Sequence, residues 1–290
     1  MDWWIHAGVT KNLKITNCTI KSGDDIIALF PQGETLTGNN PNDYTENVII
    51  ENCYLYSPLS SCLKIGTHLN LSKYTEKGVY LNNCDIYCDR IITQDEDGSR
   101  DTYTNYFDIT FNKCNIQALS NNQYYNSDIY IDRRDHGDIN IYNSTIKNNN
   151  TNGSLLWKGT PDANFTNLTI INSDIYYNNT NATHETMIRL GVNSTFKLID
   201  SKFEYSCNII FDYTNIYIIN SNIKRNTGDS YCMQLRNSDG LTYKFFNNIL
   251  NKNIEKRSTY SGTLTNYMYL ANLGGTVPTD LAANNKYPNS

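Results

Sequence analysis

Two adjacent carboxylates, Asp24 and Asp25, stand in the segment NLKITNCTIKSGDDIIALF (residues 12–30), otherwise rich in apolar and β-branched residues. Neighbouring carboxylates raise the pKa of one member of the pair, so one holds a proton while the other stays charged. That is equipment for general acid–base chemistry. The same stretch, Ser-Gly-Asp-Asp, also makes a polar turn whose aspartates accept hydrogen bonds from backbone amides. A calcium site is a third reading, although no Asp-rich loop motif accompanies the pair.

Whatever the pair does, a repeat must position it. The motif I-x-N-[C/S]-x-[I/L] occurs as ITNCTI (from Ile15), IENCYL (Ile50), LNNCDI (Leu81), FNKCNI (Phe111), IYNSTI (Ile141) and IINSDI (Ile170). Weaker copies begin at Leu198, Ile218 and Phe245. The fourth positions, from Cys18 to Asn248, are spaced by 35, 31, 30, 30, 29, 28, 20 and 27 residues. A period in this range marks a solenoid. Each copy is a short period-2 strand followed by turn formers, and a second strand such as IIALF or CLKIG often follows. The expected fold is all-β, a single-stranded right-handed parallel β-helix with nine motif copies and so about nine rungs. It should occupy residues 1–250, with residues 251–290 an irregular C-terminal capping segment. Equivalent residues on successive rungs stack about 4.8 Å apart. The Cys/Ser column is therefore expected to be a packing column, and the Asn before it a polar ladder at the bend.

Composition excludes several classes. A net charge of −5 and a pI near 5.4 provide no basic footprint for nucleic acid. No apolar run of about 18 residues exists to insert in a membrane, and no signal peptide is visible at the start. Eight cysteines without a CxxC pair suggest neither a disulfide scaffold nor a zinc ribbon. The four histidines fall on different repeats, so no metal or cofactor is expected. The charged run DRRDHGD (residues 132–138) reads as a salt-bridged turn, with a secondary glycan-binding spot as the alternative.

Three segments in order give the chain a family likeness. NLKITNCTIKSGDDIIAL, then SCLKIG (residues 61–66), then RIIT (residues 90–93) resemble the polygalacturonase family of glycoside hydrolases, with its pectin-lyase-like solenoid. In that family a strand leads to Gly-Asp-Asp, the next coil carries Gly-His-Gly-hydrophobic-x-Ile-Gly, and the next carries Arg-Ile-Lys-Thr. The likeness covers roughly residues 1–118. Ser61 stands where the family has histidine and Ile92 where it has lysine, which argues against a galacturonan substrate. Dextranase-like enzymes and bacteriophage tailspike depolymerases are related branches that keep the acids and change the rest. The resemblance implies hydrolysis of a polysaccharide by paired aspartates, with inversion. Asp24, Asp25 and Asp2 would be catalytic; Arg90, Lys64, Ser61, Trp3 and Trp4 would bind substrate.

Geometry makes this feasible. Carboxylates one or two rungs apart cover the spacings of about 5–5.5 Å for retaining and about 6.5–9.5 Å for inverting glycosidases. The Trp pair serves equally as a core cap, and Tyr54 and Tyr56 join the sugar contacts if they face outward. The expected setting is extracellular or on a phage tail. Open β-helix ends need covering, which makes a homotrimer or a fused N-terminal module the expected assemblies. The competing reading is a catalytically inactive β-helical appendage or glycan-binding adhesin.

Overall fold

A computed structural model describes residues 5–29, 44–66, 75–94, 106–119, 127–131, 136–150, 153–158, 165–179, 187–207, 209–212, 214–226, 231–236, 243–251, 253–257 and 266–268. Among these the chain is all strand and turn, wound as a parallel β-solenoid with three walls.

The first wall has nine levels, from Thr10–Lys11 and Lys14–Thr16 through Tyr44–Glu51, Thr75–Asn82, Tyr106–Asn112, His136–Tyr142, Thr166–Ile171, Thr195–Ile199 and Asn215–Ile219 to Tyr243–Phe246. Each level carries one copy of the motif. The motif's first residues form one continuous inward row, Ile15, Ile50, Leu81, Phe111, Ile141, Ile170, Leu198, Ile218 and Phe245, in strict register and buried. The sixth residues, from Ile20 to Leu250, form the matching inward row of the second wall. Removing such aliphatic side chains from water is what drives the winding, at about 1.5–3 kcal/mol each.

Between these rows the backbone turns through the left-handed region. All nine third-position residues, Asn17, Asn52, Asn83, Lys113, Asn143, Asn172, Asp200, Asn220 and Asn247, have φ between 49° and 55°. Asparagine and aspartate enter this region at the least strain among non-glycine residues. The expected polar ladder is present: Asn83 Nδ2 donates to Asn52 Oδ1 (2.8 Å), Asn172 to Asn143 (2.7 Å) and Asn247 to Asn220 (3.0 Å).

The fourth positions form the expected small-residue column. Cys53, Cys84 and Cys114 are buried and the cysteines are free thiols. Where the column changes to serine it becomes a hydrogen-bonded chain. Ser144 N–H donates to Ser173 Oγ (3.0 Å), Ser173 N–H to Ser201 Oγ (3.1 Å), and Ser201 N–H to Ser221 Oγ (3.2 Å). Each hydroxyl passes its own proton to a nearby carbonyl, as Ser173 does to Ile171 (2.8 Å). Buried amides that the turn would leave unpaired are thereby satisfied.

The third wall begins with Ile5–Ala7 and Ile27–Leu29 and continues through the ends of the long strands Tyr54–Ile65 and Asp85–Gln94. Ser127–Ile131, Ser154–Lys158 and Ile188–Arg189 extend it. A further sheet, Ile209–Asp212, Tyr231–Arg236 and Asn253–Arg257, adds parallel levels, and Asn266–Met268 closes it antiparallel. The last two strands lie within residues 251–290.

Candidate functional site

Asp24 and Asp25 occupy the corner between the second and third walls, after Thr19–Lys21 and before Ile27–Leu29. On the next level the strand that passes this corner slips register between Ser57 and Ser61, which lifts Leu59 outward to 74% exposure. The slip brings Ser60 and Ser61 under the aspartates.

The two carboxylates have different environments. Asp25 is 6% exposed. Its Oδ1 accepts from Ser60 Oγ (2.6 Å) and from the Ser61 N–H (3.1 Å), and its Oδ2 lies 3.4 Å from Lys64 Nζ. Asp24 is exposed. Its backbone is pinned, the N–H to Ser22 Oγ (3.0 Å) and the carbonyl by Ser57 Oγ (2.7 Å), while among the described residues its side chain meets Ser60 Oγ (3.4 Å). Ser60 Oγ lies 2.6 Å from Asp25 Oδ1 and 3.4 Å from Asp24 Oδ1, so their sum, 6.0 Å, bounds the separation of those two oxygens. That is tighter than the about 6.5 Å at which a water fits between an inverting acid and base. The polygalacturonase-like resemblance assigns a third carboxylate to such a site. Asp2, the residue assigned that place by sequence, lies outside the described residues, as do Trp3 and Trp4.

The remaining sequence-assigned residues gather at the corner. Ser61 pairs in register with Arg90, and its hydroxyl donates to Thr93 Oγ1 (2.6 Å). Arg90 is 8% exposed, with its Nε 3.9 Å from Asp89 Oδ2. Burial lowers the Arg90 pKa, while Asp89, Asp25 and Asp128 oppose that shift, which places three carboxylates in its electrostatic reach. An arginine keeps its charge through such a shift. The corner is thus a lattice of alternating acid, cation and hydroxyl, and Asp24 is its exposed acid.

Two surfaces flank the corner; sequence reasoning missed the first and named Tyr54 and Tyr56, but not Tyr87, of the second. Downstream on the third wall, an outward row runs Lys64, Thr93, Tyr130, Trp157, Arg189, with the Arg189 guanidinium 4.4 Å above the Trp157 ring. Upstream on the second wall, Tyr54 and Tyr56 do face outward, and Tyr56 stacks on Tyr87 at 5.2 Å and 10°. Tyr54 also borders a depression of about 410 Å³ lined by Asn17, Cys18, Thr19, Asn52, Cys53, Asn83 and Asp85. Tyr87 was legible as the residue three past Cys84, the same phase as Tyr56 after Cys53. The Trp157–Arg189 pair was not, because loops of unequal length separate the third-wall strands from the motif.

No family model, no curated protein and no solved structure matches this chain. The parallel solenoid is consistent with the pectin-lyase-like architecture that the motif series resembles.

Proposed function

We propose that the corner binds a polysaccharide and hydrolyses its glycosidic bonds, with Asp24 as the proton carrier. The observation that carries the reading is the division of labour between adjacent acids: Asp25 buried and braced by three donors, Asp24 exposed on the same turn. Asp24 would protonate the leaving oxygen. Water activation falls to Asp25 with Asp2, the roles the polygalacturonase-like motif implies. Aromatic faces at Tyr54 and Tyr56 on one side and cations Lys64 and Arg90 on the other suit a sugar chain crossing the corner. Secretion or display on a virion is the setting in which such an activity meets its substrate.

The test is reducing-end release over capsular, teichoic and plant polysaccharides with Asp24→Asn and Asp25→Asn. Loss of a general acid lowers the rate by about 10²–10⁴. Wild-type rates in both variants would remove the corner from the mechanism. One observation favours the glycan-binding reading instead. Asp25 caps the Ser61 amide, and Ser61 occupies the family's histidine position, so the corner is built as a brace. Retained polysaccharide binding without hydrolysis by the wild-type protein would select that reading.

A further inference from the structure

One outward row of the first wall departs from the pattern around it. It reads Lys11, Glu46 and Lys77 in register and, past a register slip that sets Lys77 and Gly78 together opposite Asp108, continues through Asp108, Asp138 and Asn167. Signs alternate at first, and Lys11 and Glu46 pair at 3.2 Å. Then Asp108 and Asp138 stand directly in register with no cation between them. Like charges opposite one another destabilise a sheet, so this placement opposes folding. Both follow one repeat phase, six residues before Cys114 and Ser144.

Their surroundings differ in the way an acid and a nucleophile require. Asp138 is held by two donors: Asn167 Nδ2 donates to its Oδ1 (2.8 Å) and the Tyr106 hydroxyl to its Oδ2 (3.0 Å). Asp108 accepts no hydrogen bond from the described residues. Burial first, then Asp138, push its carboxyl above the usual range, with Lys77 opposing. Burial and the bond to Asp138 push the Tyr106 phenol up to about 12, so it stays a donor. Tyr142 is likewise raised by burial and by both carboxylates. His136 packs edge-on against Tyr106 (5.6 Å) and Phe165 (5.2 Å). Burial and Lys158 lower its pKa, and its buried Nδ1 has no hydrogen-bond partner among the described residues. Asp108, Asp138, Tyr106 and Tyr142 are all partly exposed.

We infer that Asp108 and Asp138 are a second catalytic centre, a retaining glycosidase pair on the first wall, independent of the corner site. Neighbouring levels lie about 4.8 Å apart, close to the about 5–5.5 Å between acid and nucleophile in retaining enzymes. Protonated Asp108 gives its proton to the glycosidic oxygen as the bond to the anomeric carbon breaks. An Asp138 oxygen forms the new bond to that carbon. Asp108, now a carboxylate, then takes a proton from water, whose oxygen attacks the anomeric carbon and releases Asp138. The net change is one water added and one glycosidic bond lost. Tyr106 and Asn167 are positioning residues that hold the Asp138 oxygens in place.

The experiment is incubation of the whole protein with 2-deoxy-2-fluoro glucosyl, galactosyl and mannosyl fluorides, followed by peptide mass analysis. One sugar is expected to label Asp138. The label should vanish in Asp138→Asn and persist in Asp24→Asn, which separates this centre from the corner. Asp108→Asn should still be labelled, because fluoride leaves without a proton, but should release the sugar at least ~10²-fold more slowly. A matching thermal melt confirms that each variant is folded. Absence of labelling with all three sugars, or labelling of a different carboxylate, overturns the inference.

Discussion

Asp25 is a joint before it is a catalyst, and a graded substitution series exposes that. In Asp25→Ala the Ser61 N–H, on a residue 3% exposed, loses its acceptor. Leaving such an amide unpaired costs about 1–3 kcal/mol. The Ser60 hydroxyl, half-buried, turns to water at little cost. The Lys64 contact adds about 0–1 kcal/mol, since that side chain is 26% exposed and solvent screens it. The expected loss is therefore about 1–4 kcal/mol for alanine and smaller for Asp25→Asn, which keeps an acceptor oxygen. Asp24→Asn, on the exposed side chain, should stay within about 0.5 kcal/mol of wild type. Thermal unfolding reads the order Asp24→Asn, Asp25→Asn, Asp25→Ala. Hydrogen exchange of the peptide spanning Ser61 locates the loss, because a solenoid opens locally rather than all at once. Unchanged exchange at Ser61 in Asp25→Ala would refute the brace, whatever happens to activity.

Other consequences are equally direct. Asn172, at φ 50° and bonded to Asn143, should tolerate glycine but lose about 1–2 kcal/mol as alanine, measured by chemical denaturation. Ser173→Ala removes the acceptor of the buried Ser144 amide and should cost about 1–3 kcal/mol, whereas a surface serine changed likewise should cost almost nothing. Asp108 titrates above its unfolded value, so the native state binds the extra proton and stability falls as pH rises from about 4 through the raised native pKa. Asp108→Asn should remove that fall and be about 0.2–1 kcal/mol more stable than wild type at pH 7, with no advantage at pH 3, by melts across that range. Equal stability differences at both pH values would show that the two aspartates do not repel.

The amino-acid sequence alone determined the winding. A six-residue motif recurring nine times places an apolar residue on each side of a turn residue that is Asn in seven copies, and only a parallel coil buries all of those rows at once. It also determined that Asp24 and Asp25 fall at a turn close to the motif, whereas the register slip between Ser57 and Ser61, and not the motif's phase, set Ser61 against Arg90. Tertiary structure decided what the phase leaves open. Hydrogen bonding at the corner, and not residue type, made Asp25 a buried brace and Asp24 an exposed acid. Loops of unequal length hid the Trp157–Arg189 contact from any spacing rule. Register across two levels set Asp108 against Asp138. A charge thirty residues away in the chain, one level away in space, governs a proton only after the coil has closed.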